Sequence, residues 1–292
     1  AEPLPDGDSG IASRYPNDQG ISSDPDVLFV DDFESYRVAS DIGNQWDQVF
    51  HMPNIQIATE SKDVFGGAKS VELSVPQQSS EVSNNLIKAI NPTEDVLFLR
   101  YYAKYDEAFN VVGSSHNGSS MSGKYCCPGV PSDGYNKIFV SLEAGRFDAA
   151  TANPGLLNIY IYHQEQRDIW GDHFYPTGRV VPFDRVPGDF GSDFVPRPDV
   201  TPELGRWYAY ELMVRLNTPG QRDGRIAVWL DGEVIADFPN LRLRETTSLK
   251  MDQITLDLHV NGSSVGTAKK WYDNVVVATS YIGPLSTSAQ AR

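Results

Sequence analysis

Apolar and polar residues alternate with period two over most of this chain, and few stretches show helical periodicity. The alternation predicts strands at 27–35, 55–59, 69–75, 84–90, 96–105, 137–143, 156–164, 252–260 and 270–283. Between them, residues 204–238 read as a three-stranded antiparallel meander. Trp207, Tyr208, Tyr210, Met213 and Val214 suit a half-buried pleated surface, and Asp231-Gly232 supplies a two-residue turn. Recurrent strands with turn signals between them predict an all-β fold, a jelly-roll sandwich of antiparallel sheets. Two segments interrupt the pattern. Residues 110–136 are too rich in Gly, Ser, Cys and Pro for a regular element. Residues 165–203 form a second long loop, whose aromatics (Trp170, Phe174, Tyr175, Phe183, Phe190 and Phe194) predict a packed rather than a loose segment. The expected organisation is an extended arm over 1–26, one domain over 27–284 and a frayed tail over 285–292.

Each strand sorts into two faces. In 252–260, Ile254, Leu256 and Leu258 oppose Thr255, Asp257 and His259. In 137–143, Ile138, Val140 and Leu142 oppose Lys137, Phe139, Ser141 and Glu143. In 156–164, Leu157, Ile159 and Ile161 oppose Asn158, Tyr160, Tyr162 and Gln164. In 96–105, Arg100, Tyr102 and Lys104 form the polar set. Pooled on one concave sheet, these side chains would line a polar, aromatic groove suited to a sugar chain; otherwise they make an ordinary wet face with cross-strand pairs.

The net charge of −15 argues against nucleic acid or an anionic membrane as partner, though not against an acidic glycan held in a local basic groove. No apolar run is long enough to span a bilayer. The two cysteines, Cys126 and Cys127, are adjacent, so they cannot staple distant strands. They are either partly buried thiols or a vicinal disulfide.

The order G-x-W, E, V, N-T-P-G, D-G, W-x-D-G in 204–238 resembles the jelly-roll polysaccharide lyases of alginate and glucuronan type, and the related secreted jelly rolls of cellulose-degrading fungi. Tyr160-Ile161-Tyr162 is similar to their Tyr-x-Tyr strand, and HNGSSMSGKY (116–125) loosely matches a Gly-rich loop. The resemblance implies β-elimination on a uronic-acid glycan. Tyr160, Tyr162, His116, His163 or His259 would move the proton. Arg100, Asn117, Lys124, Asn158 and Gln164 would face the substrate carboxylate. Tyr102, Lys137, Ser141, Trp170 and His173 are further candidates for the groove. Where those lyases carry Ser-x-Arg, this chain has Ser141-Leu142-Glu143, and Glu143 would repel a uronate unless protonated or paired with Arg100 or Lys137.

The resemblance also implies a structural Ca²⁺ held by Glu34, backbone near Gly66-Gly67, and Asp273; otherwise the carboxylates only cap strand ends. A hydrolase would instead use Glu143 and Asp257 at a separation of about 5–9.5 Å. A carbohydrate-binding protein without catalysis is the third reading. No E-x-D-x-x-E motif of laminarinase-like jelly rolls is present, which lowers the hydrolase reading. His163, Glu165, Asp172 and His173 match no familiar metal spacing and read as groove-lining or loop-anchoring groups. The polar start at Ala1 and the resemblance together give a secreted or periplasmic monomer as the expectation.

Overall fold

The computed structural model describes residues 2–77, 80–182 and 187–287. Among them, two antiparallel sheets of eight and nine strands pack face to face. The first, here the outer sheet, runs in the order Glu233–Leu241, Gly224–Leu230, Tyr208–Arg215, Val96–Tyr105, Ala268–Ala278, Ser70–Val75, Ile55–Ala58. Val27–Asp31 adds to Ala268–Ala278. The second, the groove sheet, runs Val180–Val181, Asp172–Phe174, Leu156–Tyr162, Ile138–Gly145, Ser119–Gly123, Met251–Val260, Val82–Glu94, Gln48–Phe50. Ser115–His116 pairs with the upper end of Met251–Val260. No helix among the described residues is long and apolar enough to cross a membrane.

The predicted meander forms as three consecutive antiparallel strands at one edge of the outer sheet. Its Asp231-Gly232 turn has φ of 52° and 83°, the doubly positive pair that a type I′ hairpin requires. The apolar halves of the alternating strands meet between the sheets. Leu97, Leu99, Tyr101 and Ala103 of one sheet face Val140, Leu142, Ile254, Leu256 and Leu258 of the other. Each fully buried aliphatic side chain there is worth about 1.5–3 kcal/mol relative to exposure.

Three expectations change. The segment 110–136 contains a central strand, Ser119–Gly123, inserted between Ile138–Gly145 and Met251–Val260. Serine and glycine have weak strand propensity, so only the two flanking ladders make it a strand. The segment expected to be an extended arm is a run of short 3-10 turns whose Ile11, Ala12 and Ile21 join Phe98, Met213, Trp229 and Val276 in a second apolar cluster. That cluster lies on the face of the outer sheet turned away from the main core. The first residues of the tail are tied down: Leu285 N–H donates to the Tyr102 hydroxyl at 2.9 Å and Asn17 N–H to the Ser286 carbonyl at 2.7 Å. Residues 288–292 lie outside the described residues, as does Phe183. In the second long loop, Phe174, Phe190 and Phe194 pack on Phe238, while Trp170 remains half exposed.

Candidate active site

A cleft of about 840 Å³ opens on the face of the groove sheet turned away from the core. Its floor is a row of rings crossing several strands. His173 sits directly opposite Tyr160 in the ladder, and His116 opposite His259. Successive ring centroids are 4.8 Å apart for His173–Tyr160, 4.8 Å for Tyr160–His116 and 5.3 Å for His116–His259. Period-two alternation puts Tyr160 and Tyr162 on this face, and Phe139 and Glu143 beside them on the neighbouring strand.

Glu143 sits beneath the row and is almost fully buried. His116 Nδ1 lies 2.7 Å from Glu143 Oε2, and His173 Nδ1 lies 3.7 Å from Oε1. Ser141 Oγ donates to Glu143 Oε2 at 3.3 Å. The expected partners Arg100 and Lys137 do not pair with Glu143. Histidines do so instead, because Ser115–His116 continues the line of Ser119–Gly123 along Met251–Val260, beside the Glu143 end of its strand.

The three imidazoles differ. Burial works against charge on His116, but the charge and hydrogen bond of Glu143 outweigh it and raise its pKa above the ordinary value. Burial lowers the pKa of His173 and of His259, keeping both neutral to lower pH. The tautomer of His173 follows from its neighbour. Asn158 Nδ2 donates to the carbonyls of Glu143 and Leu156, so Asn158 Oδ1 faces His173 Nδ1 at 2.8 Å. An acceptor there makes Nδ1 the protonated nitrogen and leaves the lone pair on Nε2. Burial pushes the Tyr160 hydroxyl well above its usual range, and the hydroxyl accepts the Gly171 N–H at 3.2 Å. It is therefore a proton donor at neutral pH rather than a base. Asp257, at the other side of the floor, receives a hydrogen bond from Thr255 Oγ1 at 2.6 Å, and burial raises its pKa to about 6.

Among the residues singled out from the sequence, Tyr160, Tyr162, His116, His173, His259, Glu143, Asp257 and Trp170 line the cleft. Ser141 and Asn158 lie just behind it, holding Glu143 and His173. The others are placed elsewhere. Arg100 and Tyr102 are on the far face of the outer sheet, where Arg100 pairs with Asp18 at 2.5 Å beneath the N-terminal segment. Asn117 points into the core, accepting from Tyr105 Oη at 2.8 Å and donating to the Ala144 carbonyl at 2.9 Å. Lys137 is spent on the carbonyls of Cys126 and Cys127, with its ammonium 4.2 Å from the Tyr162 ring centre. Lys124 stands in the left-handed region (φ 49°), its N–H on Asp252. Gln164 binds Glu245, and His163 is buried against Asp172 on the core side, one residue past the face that carries Tyr162. Cys126 and Cys127 are free thiols and exposed, not partly buried. Sequence reasoning missed Glu81, Asn85, Phe147 and Asp168 in the cleft wall. Only Asn85 carried a signal, as a polar residue at an alternating position next to Asp257, to which its amide donates.

The expected metal ligands also come together, away from the cleft. Asp273 Oδ2 accepts the N–H groups of Phe65 and Gly66 at 2.9 and 3.0 Å, and Glu34 Oε1 accepts those of Ala68 and Lys69 at 2.8 Å each. A Cβ on Gly66 would stand 2.7 Å from Asn274 Oδ1, and one on Gly67 2.3 Å from Glu34 Oε1, so only glycine leaves this cradle open. Asn274 Oδ1 is buried with no hydrogen-bond partner. Burial raises the Asp273 pKa to about 7, and the nearby Glu34 adds to the shift. Among the described residues, no group of three or more His, Cys, Asp or Glu is arranged to hold a metal. The cradle has two carboxylates and one amide oxygen, an all-oxygen set that fits a hard cation.

Comparison with known proteins adds two findings. The model of the family described as polysaccharide lyase 14 matches residues 184–276. No curated protein sequence matches the chain. Among solved structures, alginate lyase Aly36B is similar over 86% of this chain and 96% of its own, at 16% identity and a TM-score of 0.63. The PL-14 alginate lyase from Aplysia kurodai is similar over 87% and 99%, at 13% identity and a TM-score of 0.57. The endo-β-1,4-glucuronan lyase from the fungus Trichoderma reesei is similar over 87% and 95%, at 16% identity and a TM-score of 0.55. The resemblance read from the meander is thus borne out: the chain has the fold of the jelly-roll polysaccharide lyases and, over residues 184–276, the sequence pattern of polysaccharide lyase 14.

Proposed function

We propose that the protein is a polysaccharide lyase that cleaves a uronic-acid glycan by β-elimination in the cleft of the groove sheet. Family pattern and fold support lyase chemistry. The observation that carries the site is the ring row over Glu143, in which His116 and His173 flank Tyr160, Glu143 raising the pKa of the first and burial lowering that of the second. His116, kept cationic by Glu143, pairs with the substrate carboxylate and makes the C5 proton more acidic. His173 Nε2, with its lone pair fixed by Asn158, takes that proton. The C4–O bond breaks, and the leaving oxygen takes the Tyr160 proton, while the Gly171 N–H stabilises the phenolate. Return of the proton from His173 to Tyr160, its direct ladder neighbour, resets the site. Glu143 has no role as a glycosidase acid here, because both of its oxygens face histidines.

The test is incubation with a panel of uronic and neutral glycans. Unsaturated uronate at the new non-reducing end marks elimination. New reducing ends without it would mark hydrolysis and overturn the reading, and retention with neither would mark binding only.

A structural Ca²⁺ in the Glu34–Asp273–Asn274 cradle is the second proposal. The unpartnered Asn274 Oδ1 and the buried Asp273 carboxylate beside Glu34, whose burial outweighs its three backbone N–H donors, support it. The ion would lock the Phe65–Lys69 turn to the first and last strands of the domain. It would take no part in the chemistry.

A further inference from the structure

The described lining of the cleft holds the carboxylates of Glu81, Glu143, Asp168 and Asp257, and no lysine or arginine. Lys137 lies behind Tyr162, with its ammonium on two carbonyls. Among the described lining residues the group able to face the cleft as a cation is imidazole, and His116, at the centre of the row, rests on Glu143. The described flanks are acidic or neutral. On the side of the Val82–Glu94 strand, Glu81 Oε1 is 3.7 Å from His259 Nδ1. On the side of the Asp172–Phe174 strand, Asp168 shares a loop with Trp170. Ser83, Asn85, Gln253 and Asn261 offer amides and hydroxyls, which suit sugar hydroxyls, and the half-exposed Trp170 suits a pyranose face. Around this stands a body of net charge −15. A chain with a carboxylate on every sugar would set those charges against Glu81 and Asp168, in a cleft that focuses a field of the same sign.

Resting on the lyase reading above, we infer that the natural substrate is a heteroglycan whose uronic acids stand singly between neutral sugars, and not a homopolyuronate. One carboxylate meets His116, and neutral sugars meet the flanks.

The inference is tested with one homopolyuronate and a series made from it by reducing a growing fraction of its carboxyls to hydroxymethyl groups. Release of unsaturated uronate is followed and kcat/KM is normalised to the uronates that remain. It should rise about tenfold or more along the series, on the scale of electrostatic steering, and the gain should shrink at high salt. The double variant E81Q/D168N should shrink the gain in the same way, mainly through KM on the unreduced polymer. A normalised kcat/KM that stays flat or falls as carboxyls are removed would overturn the inference alone. So would a gain that E81Q/D168N leaves intact. Absence of unsaturated product from every member, and from natural glucuronate heteroglycans, would overturn the lyase reading and the inference with it.

Discussion

The two sheets carry the same kind of pattern and use it differently. Each has a strand face rich in aromatic and charged residues: Arg100, Tyr102 and Lys104 in the outer sheet, Asn158, Tyr160 and Tyr162 in the groove sheet. In the outer sheet that face is covered. Asp18 closes over Arg100, and Lys104 pairs with Asp63 at 2.8 Å. Trp229 Nε1 donates to the Pro5 carbonyl at 2.8 Å, and Glu211 accepts Ile282 and Gly283 N–H at 2.8 Å each. In the groove sheet the loops rise around the face and leave its centre open. A polar strand face therefore marks either a site or a docking surface for the chain's own ends. What distinguishes them is whether the rest of the chain satisfies the polar groups.

The comparison predicts that substitutions on the two faces separate activity from stability. Tyr160→Phe on the open face should have the largest effect, a loss of about 10²–10⁴-fold in kcat, if its hydroxyl carries the proton. Its melting temperature should stay near that of the wild type, because the ring contacts survive. Unchanged turnover would remove Tyr160 from the chemistry. Arg100→Ala on the covered face should do the reverse. It leaves Asp18 buried without its partner and should cost about 3–5 kcal/mol in denaturant unfolding, with kcat per folded molecule retained. Lost activity at full stability would mean that the outer face is the site after all.

The protonation states give a sharper test. Activity needs His116 charged and His173 neutral, so kcat/KM should be bell-shaped, its acid limb below the ordinary imidazole value of about 6.5 and its basic limb above it. Glu143→Gln removes the charge that raises His116, so the basic limb should move to lower pH while the acid limb moves less. If both limbs stay in place, Glu143 is not what holds the His116 charge.

Metal removal should have a smaller effect, confined to stability. A chelator should lower the melting temperature, by the equivalent of about 2.7 kcal/mol if Ca²⁺ was present at a hundred times its Kd. Asp273 adds a pH signature. Its folded pKa, raised to about 7, lies above the unfolded value of 3.8, so its contribution is full below pH 3.8 and is lost as pH rises through 7. Without metal, Asp273 should thus make the melting temperature fall as pH rises from about 4 to about 7. Bound Ca²⁺, by favouring the carboxylate, should flatten that slope. An identical slope with and without Ca²⁺, and no metal found on the protein, would remove the site. Cys126→Ser should do least, within about 0.5 kcal/mol, because the thiol is exposed and the Cys126 carbonyl that Lys137 uses belongs to the backbone.

Local chemistry determined a good part of this protein in advance. Asp231 and Gly232 had to turn as they do because positive φ is accessible to them, and the ladders on either side had to place Tyr160 and Tyr162, or Asp257 and His259, on one face because a strand alternates. The glycines at 66 and 67 and the acids at 34 and 273 were linked only by the family resemblance, since nothing local joins positions so far apart in sequence. Three things were decided only by tertiary structure. The Ser119–Gly123 strand exists because two neighbours offer ladders to residues with little preference of their own. The pairing of Glu143 with His116, and not with Arg100 or Lys137, depends on which sheet each strand joins, and period two is the same in both sheets. The openness of the cleft depends on where the chain ends and long loops come to rest. That is settled by burial of Ile11, Ile21 and Trp229 on one sheet and, among the described residues, by no comparable cover on the other, a choice among surfaces far apart in sequence.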